Sequence, residues 1–117
     1  MRSKVLAAVL LMLCCSPSLA GALGKFEVTG TNPGSEARYS GTVTVEKTGK
    51  TYRVVWVVGG QRHVGTGIGD DKFLAVTYRS GNSTGLALYG NAGGGAWQGI
   101  WTYANGTEIG TERWEPR

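Results

Sequence analysis

The chain is poor in the residues that most often carry chemistry. It has two cysteines, adjacent at Cys14 and Cys15, one histidine, His63, and three prolines. A single imidazole with no thiol beyond residue 15 leaves no His/Cys set to hold zinc. Nor does His63 have a G-x-S-x-G elbow to activate, so an acyl-transfer triad is not expected. It reads instead as a partly exposed strand residue beside Arg62. No apolar run reaches the roughly 20 residues that a membrane-spanning helix needs. No stretch of ten or more residues shows an amphipathic helical period, which excludes a helical bundle. Charged residues make up only 17% and hydrophobic ones 41%, so the chain is not a disordered polyelectrolyte. At 117 residues it has room for one domain.

Glycine, by contrast, is abundant, at 20 residues against an ordinary level of about 7%. No Gly-X-Y period accompanies it, so collagen is excluded. The composition suits short strands joined by tight turns. Gly93-Gly94-Gly95 lacks the following Lys and helix N-terminus of a phosphate loop.

Residues 1–20 read as a secretory signal peptide. Arg2 and Lys4 form a basic start, Val5–Cys15 an apolar run, and Ser16–Ala20 a small-residue cleavage region interrupted by Pro17. Cleavage is expected after Ala20, with Ala22 as the second choice. The residues before Cys14 and Cys15 are not the small ones of a lipoprotein acceptor site. Residues 21–117 then form the single mature domain of 97 residues, with ten basic and eight acidic side chains and no cysteine. A net charge of +2 in mixed sign is no stripe for nucleic acid. A domain without disulfides must rely on its apolar core.

Period-two alternation recurs through this domain. Strands are expected over 25–30, 39–47, 51–58, 61–69, 72–78, 84–89, 96–103 and 107–114. Between them lie Asn32–Ser35, Thr48–Lys50, Gly59-Gly60, Asp70-Asp71, Ser80–Ser83, a loose loop at Gly90–Gly95, and Asn105-Gly106. The last pair reads as a two-residue hairpin with φ > 0 at both positions. Eight strands with short links form an antiparallel meander. Closing it into a small barrel removes both edges, and a two-sheet sandwich is the alternative. Glycines 65, 67, 69, 99 and 110 fall inside strands, where glycine marks bends or close backbone approach.

Candidate sites are few. Asp70 and Asp71 open a turn rather than a calcium loop. Glu108 and Glu112 share a strand face about 13 Å apart, too far for paired glycosidase carboxylates, and read as solvent-facing acids. Four tryptophans and five tyrosines are the remaining constellation. Trp56, Trp97, Trp101, Tyr52 and Tyr103 fall on the faces expected to be buried. They either fill a glycine-thinned core or line a barrel mouth that holds a small apolar or aromatic ligand. Arg53, Arg62 and Arg79 are the candidates for a partner surface. No enzyme, cofactor or metal is expected. The sequons at Asn82 and Asn105 bear on function only in a eukaryotic host.

Taken together, Tyr39–Val45, Thr51–Trp56, Gly65–Ile68, Leu74–Tyr78, Gly85–Tyr89 and Gly99–Tyr103 resemble a group of small secreted proteins of Gram-negative bacteria labelled fibronectin-binding proteins. The likeness covers residues 25–115. It implies export to the periplasm or cell surface and fibronectin binding, and it carries over no binding residue; a non-enzymatic binding role is the reading of the residues themselves. The layout is also similar to avidin- and lipocalin-type barrels, which implies architecture alone. A periplasmic protease or lysozyme inhibitor presenting the Gly90–Gly95 loop is a further reading.

Overall fold

The computed structural model describes residues 22–117. The expected leader over residues 1–20 and both cysteines lie outside the described residues. Eight strands follow in order: β1 (Gly24–Thr31), β2 (Arg38–Thr48), β3 (Thr51–Val58), β4 (Gln61–Gly69), β5 (Phe73–Ser80), β6 (Ser83–Gly93), β7 (Ala96–Tyr103) and β8 (Gly110–Pro116). Every consecutive pair is antiparallel. The meander closes because β8 returns to β1, with Val28 opposite Trp114 and Phe26 opposite Pro116. The fold is thus a closed barrel rather than a two-sheet sandwich.

Alternation along each strand decides what fills the interior. Phe26 and Val28, Val43 and Val45, Tyr52, Val54 and Trp56, Leu74 and Val76, Tyr89, Trp97 and Trp114 are all buried and form one core cluster. The outer wall of β1 and β2 carries Lys25, Glu27, Thr42, Thr44 and Glu46, so the pattern there is apolar inside and polar outside.

The interior rings fit because glycines stand opposite them. Tyr39 pairs with Gly30 and Tyr78 with Gly85, and Trp101 pairs with Gly110. A Cβ at Gly30 would lie 2.5 Å from the Tyr39 hydroxyl, and one at Gly85 2.5 Å from that of Tyr78. At Gly110 it would lie 2.7 Å from the Trp101 indole nitrogen. The strand glycines are therefore floors on which aromatic rings rest.

Two connections depart from expectation. Gly90–Gly95 is not a loose loop. Strand β6 runs on to Gly93, with a bulge between Asn91 and Gly93. Asn91 donates through Nδ2 to the Asp71 carbonyl at 2.8 Å, and its Oδ1 accepts from the Gly93 amide at 2.8 Å. The second departure is at Asn105-Gly106. Strand β8 starts at Gly110, three residues later than the pattern suggests, and residues 104–109 form a longer loop. Asn105 has φ 63°, but Gly106 is not in the left-handed region. The loop is tied down when the Thr102 hydroxyl donates to the Glu108 carbonyl at 2.7 Å. By contrast, Gly59-Gly60 is the expected hairpin, with φ 58° and 77°. The Asp70-Asp71 segment is a turn: Asp70 Oδ1 accepts from the amides of Lys72 at 2.8 Å and Phe73 at 3.2 Å.

Candidate functional site

The two ends of the barrel differ. Around the Gly49-Lys50 end, core side chains such as Tyr52, Leu74, Phe26 and Trp97 fill the interior. At the other end, where β1, β3, β5 and β7 finish, a cavity of about 390 Å³ opens. That volume falls in the range of about 300–1,000 Å³ common to ligand pockets. Its walls include Tyr39, Trp56, Tyr78, Trp101 and Tyr103, with Asn32, Gln61, His63, Ser80 and Ser83 also lining it. Two of the connections at this mouth are the two-residue turns Gly59-Gly60 and Gly81-Asn82. The six-residue segments 32–37 and 104–109 flank it on the opposite side. They adjoin one another, since a Cβ at Gly34 would lie 3.0 Å from Glu108 Cγ.

At the inner limit of the cavity sits Glu112, a carboxylate only 7% exposed. Strand β8 points Gly110, Glu112 and Trp114 inward together. Glu112 is therefore not the solvent-facing acid read from the sequence, and Glu108 does not share its strand. A buried carboxylate is costly unless donors surround it. Here Oε1 accepts from Tyr89 Oη at 2.7 Å, Trp114 Nε1 at 2.9 Å and Trp56 Nε1 at 3.1 Å. Oε2 accepts from Tyr39 Oη at 2.7 Å. All four donors are neutral side chains from β2, β3, β6 and β8, so one carboxylate ties together opposite walls of the barrel.

The tyrosines respond to this setting. Burial, then the nearby Glu112 carboxylate and the hydrogen bond to it, raise the Tyr89 and Tyr39 phenols well above their ordinary value of 10.0. Burial, reinforced by Tyr103 and Glu112, pushes Tyr78 up to about 12. All three thus remain protonated donors near neutral pH.

Three polar atoms in the cavity lining behave differently. His63 Nδ1, Tyr78 Oη and Trp101 Nε1 are sealed behind their own rings and the wall, and meet no hydrogen-bond partner among the described residues. Trp101 lies close enough to Tyr39 to oppose its rise in pKa, yet its N–H makes no aligned bond there. Buried polar groups are nearly always paired, and each unpaired one costs about 1–3 kcal/mol.

The aromatic candidates divide by position. Trp56, Trp101 and Tyr103 line the cavity. Tyr52 is buried toward the filled end, with Lys47 Nζ 5.2 Å from its ring centroid. Trp97 is buried opposite Trp114 and borders a separate recess near Leu23, Lys25 and Pro116. Arg53, Arg62 and Arg79 occupy the outer wall of β3, β4 and β5, and none reaches the cavity. Sequence reasoning did not single out Glu112, Tyr39, Tyr78 or inward-facing His63 for the site. The available signal was alternation: Glu112 is two residues from Trp114, and His63 is in register with Trp56. Among the described residues, no three His, Cys, Asp or Glu side chains gather into a cluster. Compared with known proteins, the chain matches no family model and no curated protein.

Proposed function

We propose that this protein is an exported, non-enzymatic binding barrel that holds a small ligand in its open mouth. The observation that carries the reading is an aromatic-walled cavity of about 390 Å³ at one end of a closed barrel, with the buried Glu112 carboxyl residue in its lining. A ligand seated there covers the rings and gains apolar burial, with the polar side chains of the rim left to orient it. Native mass spectrometry of the protein purified from the organism that makes it tests this directly. The expected result is a discrete additional mass that denaturation releases and Trp101→Ala removes. A bare mass for wild type, with no titratable change in tryptophan fluorescence on ligand screening, overturns it.

A second reading, a protein-binding module, draws on the outer wall. Ile68, Ala75, Leu88 and Ile100 stand side by side across β4–β7, and Ile68, Leu88 and Ile100 are exposed. Arg53, Arg62 and Arg79 lie on the neighbouring outer surface. Immobilised fibronectin is the first partner to try. Loss of capture on replacing the three arginines together with alanine supports this reading, and unchanged capture counts against them.

A further inference from the structure

The charge balance of the mouth narrows the ligand class. Glu112 is buried, its four partners are all neutral donors, and no Lys or Arg lines the cavity. The cavity therefore has a carboxylate with no lysine or arginine beside it, and the His63 imidazole is the one basic side chain of the lining among the described residues. The two carboxylate oxygens are not equally engaged. Oε1 faces the core and takes three donors, whereas Oε2 takes only Tyr39, itself a cavity wall. Each oxygen has about two lone-pair sites. Oε1 is saturated, and Oε2 retains acceptor capacity on the cavity side.

The walls point the same way. Tyr39, Trp56, Tyr78, Trp101 and Tyr103 surround the space, and aromatic rings attract cations through their quadrupoles. An anionic ligand meets Glu112 with only the His63 imidazole to set against it. A neutral apolar ligand leaves Oε2 underused.

We propose that the mouth takes a small organic ammonium ligand: a protonated amine on a flat or aromatic body. The ammonium group donates to Glu112 Oε2 between the rings. This assignment rests on the small-ligand reading of the mouth.

Isothermal titration calorimetry of the wild-type protein at neutral pH and low salt, with three probes of similar shape, tests it. Tyramine is the cation, 4-ethylphenol the neutral analogue and 4-hydroxyphenylacetate the anion. Tyramine is expected to bind at least about tenfold more tightly than 4-ethylphenol, with the anion weakest. In Glu112→Gln, provided circular dichroism shows the wild-type fold, the preference for tyramine over 4-ethylphenol should collapse toward unity. If that variant does not fold, the wild-type series decides alone. Equal or tighter binding of 4-ethylphenol or the anion overturns selection for a cation while leaving the mouth a ligand site. No binding of any probe at millimolar concentration also overturns the ammonium assignment. A co-purifying mass then preserves the small-ligand reading, and a bare protein removes both.

Discussion

At the scale of single residues, Glu112 links stability to the site. Its carboxylate accepts from four donors carried by interior aromatic rings. Glu112→Leu conserves bulk but strands those donors, two of them on Trp114 and Tyr89, which are 0% and 1% exposed. The expected loss is at least about 3 kcal/mol, since each stranded buried donor costs about 1–3 kcal/mol. Urea denaturation of the two proteins side by side measures it. Glu112→Gln keeps one acceptor oxygen and should lose less. The tyrosines add a pH dependence. Their folded pKa values lie above the unfolded value of 10.0, with Tyr78 at about 12. Below pH 10 both states hold the protons, and the stabilisation is fully present. Above it the unfolded chain releases protons that the barrel retains, so stability falls as pH rises. Unfolding midpoints should be flat from pH 7 to 9 and drop steadily beyond 10; a rise there would contradict the assignment.

At the scale of elements, the turns separate what alternation and dipeptides can reveal from what they cannot. All eight strands are visible in the sequence because inward apolar residues recur every second position. Gly59-Gly60 is visible because a two-residue hairpin needs left-handed residues. Asn105-Gly106 has the same local signature but sits in a six-residue connection, where only Asn105 is left-handed. Gly106 is required there for space: a Cβ would collide with Thr102 Oγ1. Asn105→Gly should therefore be near neutral, and Asn105→Ala should cost about 1 kcal/mol. Gly106→Ala should destabilise by forcing the Thr102 hydroxyl off Glu108. Thermal unfolding of the three variants distinguishes this loop from a hairpin with two left-handed residues. The site was legible only in part for a related reason. Trp56, Trp101 and Tyr103 announce themselves as large inward rings. Glu112 does not, because a buried carboxylate makes sense only once donors from three other strands surround it. A continuous aromatic column links the filled end to the mouth. It runs from Phe26 to Trp114 (5.5 Å between ring centroids), Trp56 (6.5 Å), Tyr78 (5.8 Å), Trp101 (6.1 Å) and Tyr103 (5.2 Å). Its steps are tilted or edge-to-face, each contributing about 0.5–1.5 kcal/mol beyond burial.

At the scale of the whole molecule, closure is the governing feature. Strands β1 and β8 pair along their length with each other as well as with their chain neighbours. Neither is an edge strand. Native-state hydrogen exchange should find their amides protected to a degree similar to those of β4 and β5; fast exchange confined to β1 and β8 would indicate an open sheet. If residues 1–20 are the leader, the secreted chain should begin at Gly21, which intact-mass measurement of the exported protein checks.

The seam between β1 and β8 also has a use. The Arg117 amide donates to the Lys25 carbonyl at 3.1 Å, at the end of the barrel remote from the open mouth. Topologically the domain is close to a ring of strands with one cut. A short bridge from Arg117 to Gly24, with a new opening at Gly49-Lys50, would give a circular permutant with the same wall order. A tag or surface tether attached after Arg117 would likewise leave the mouth facing solution.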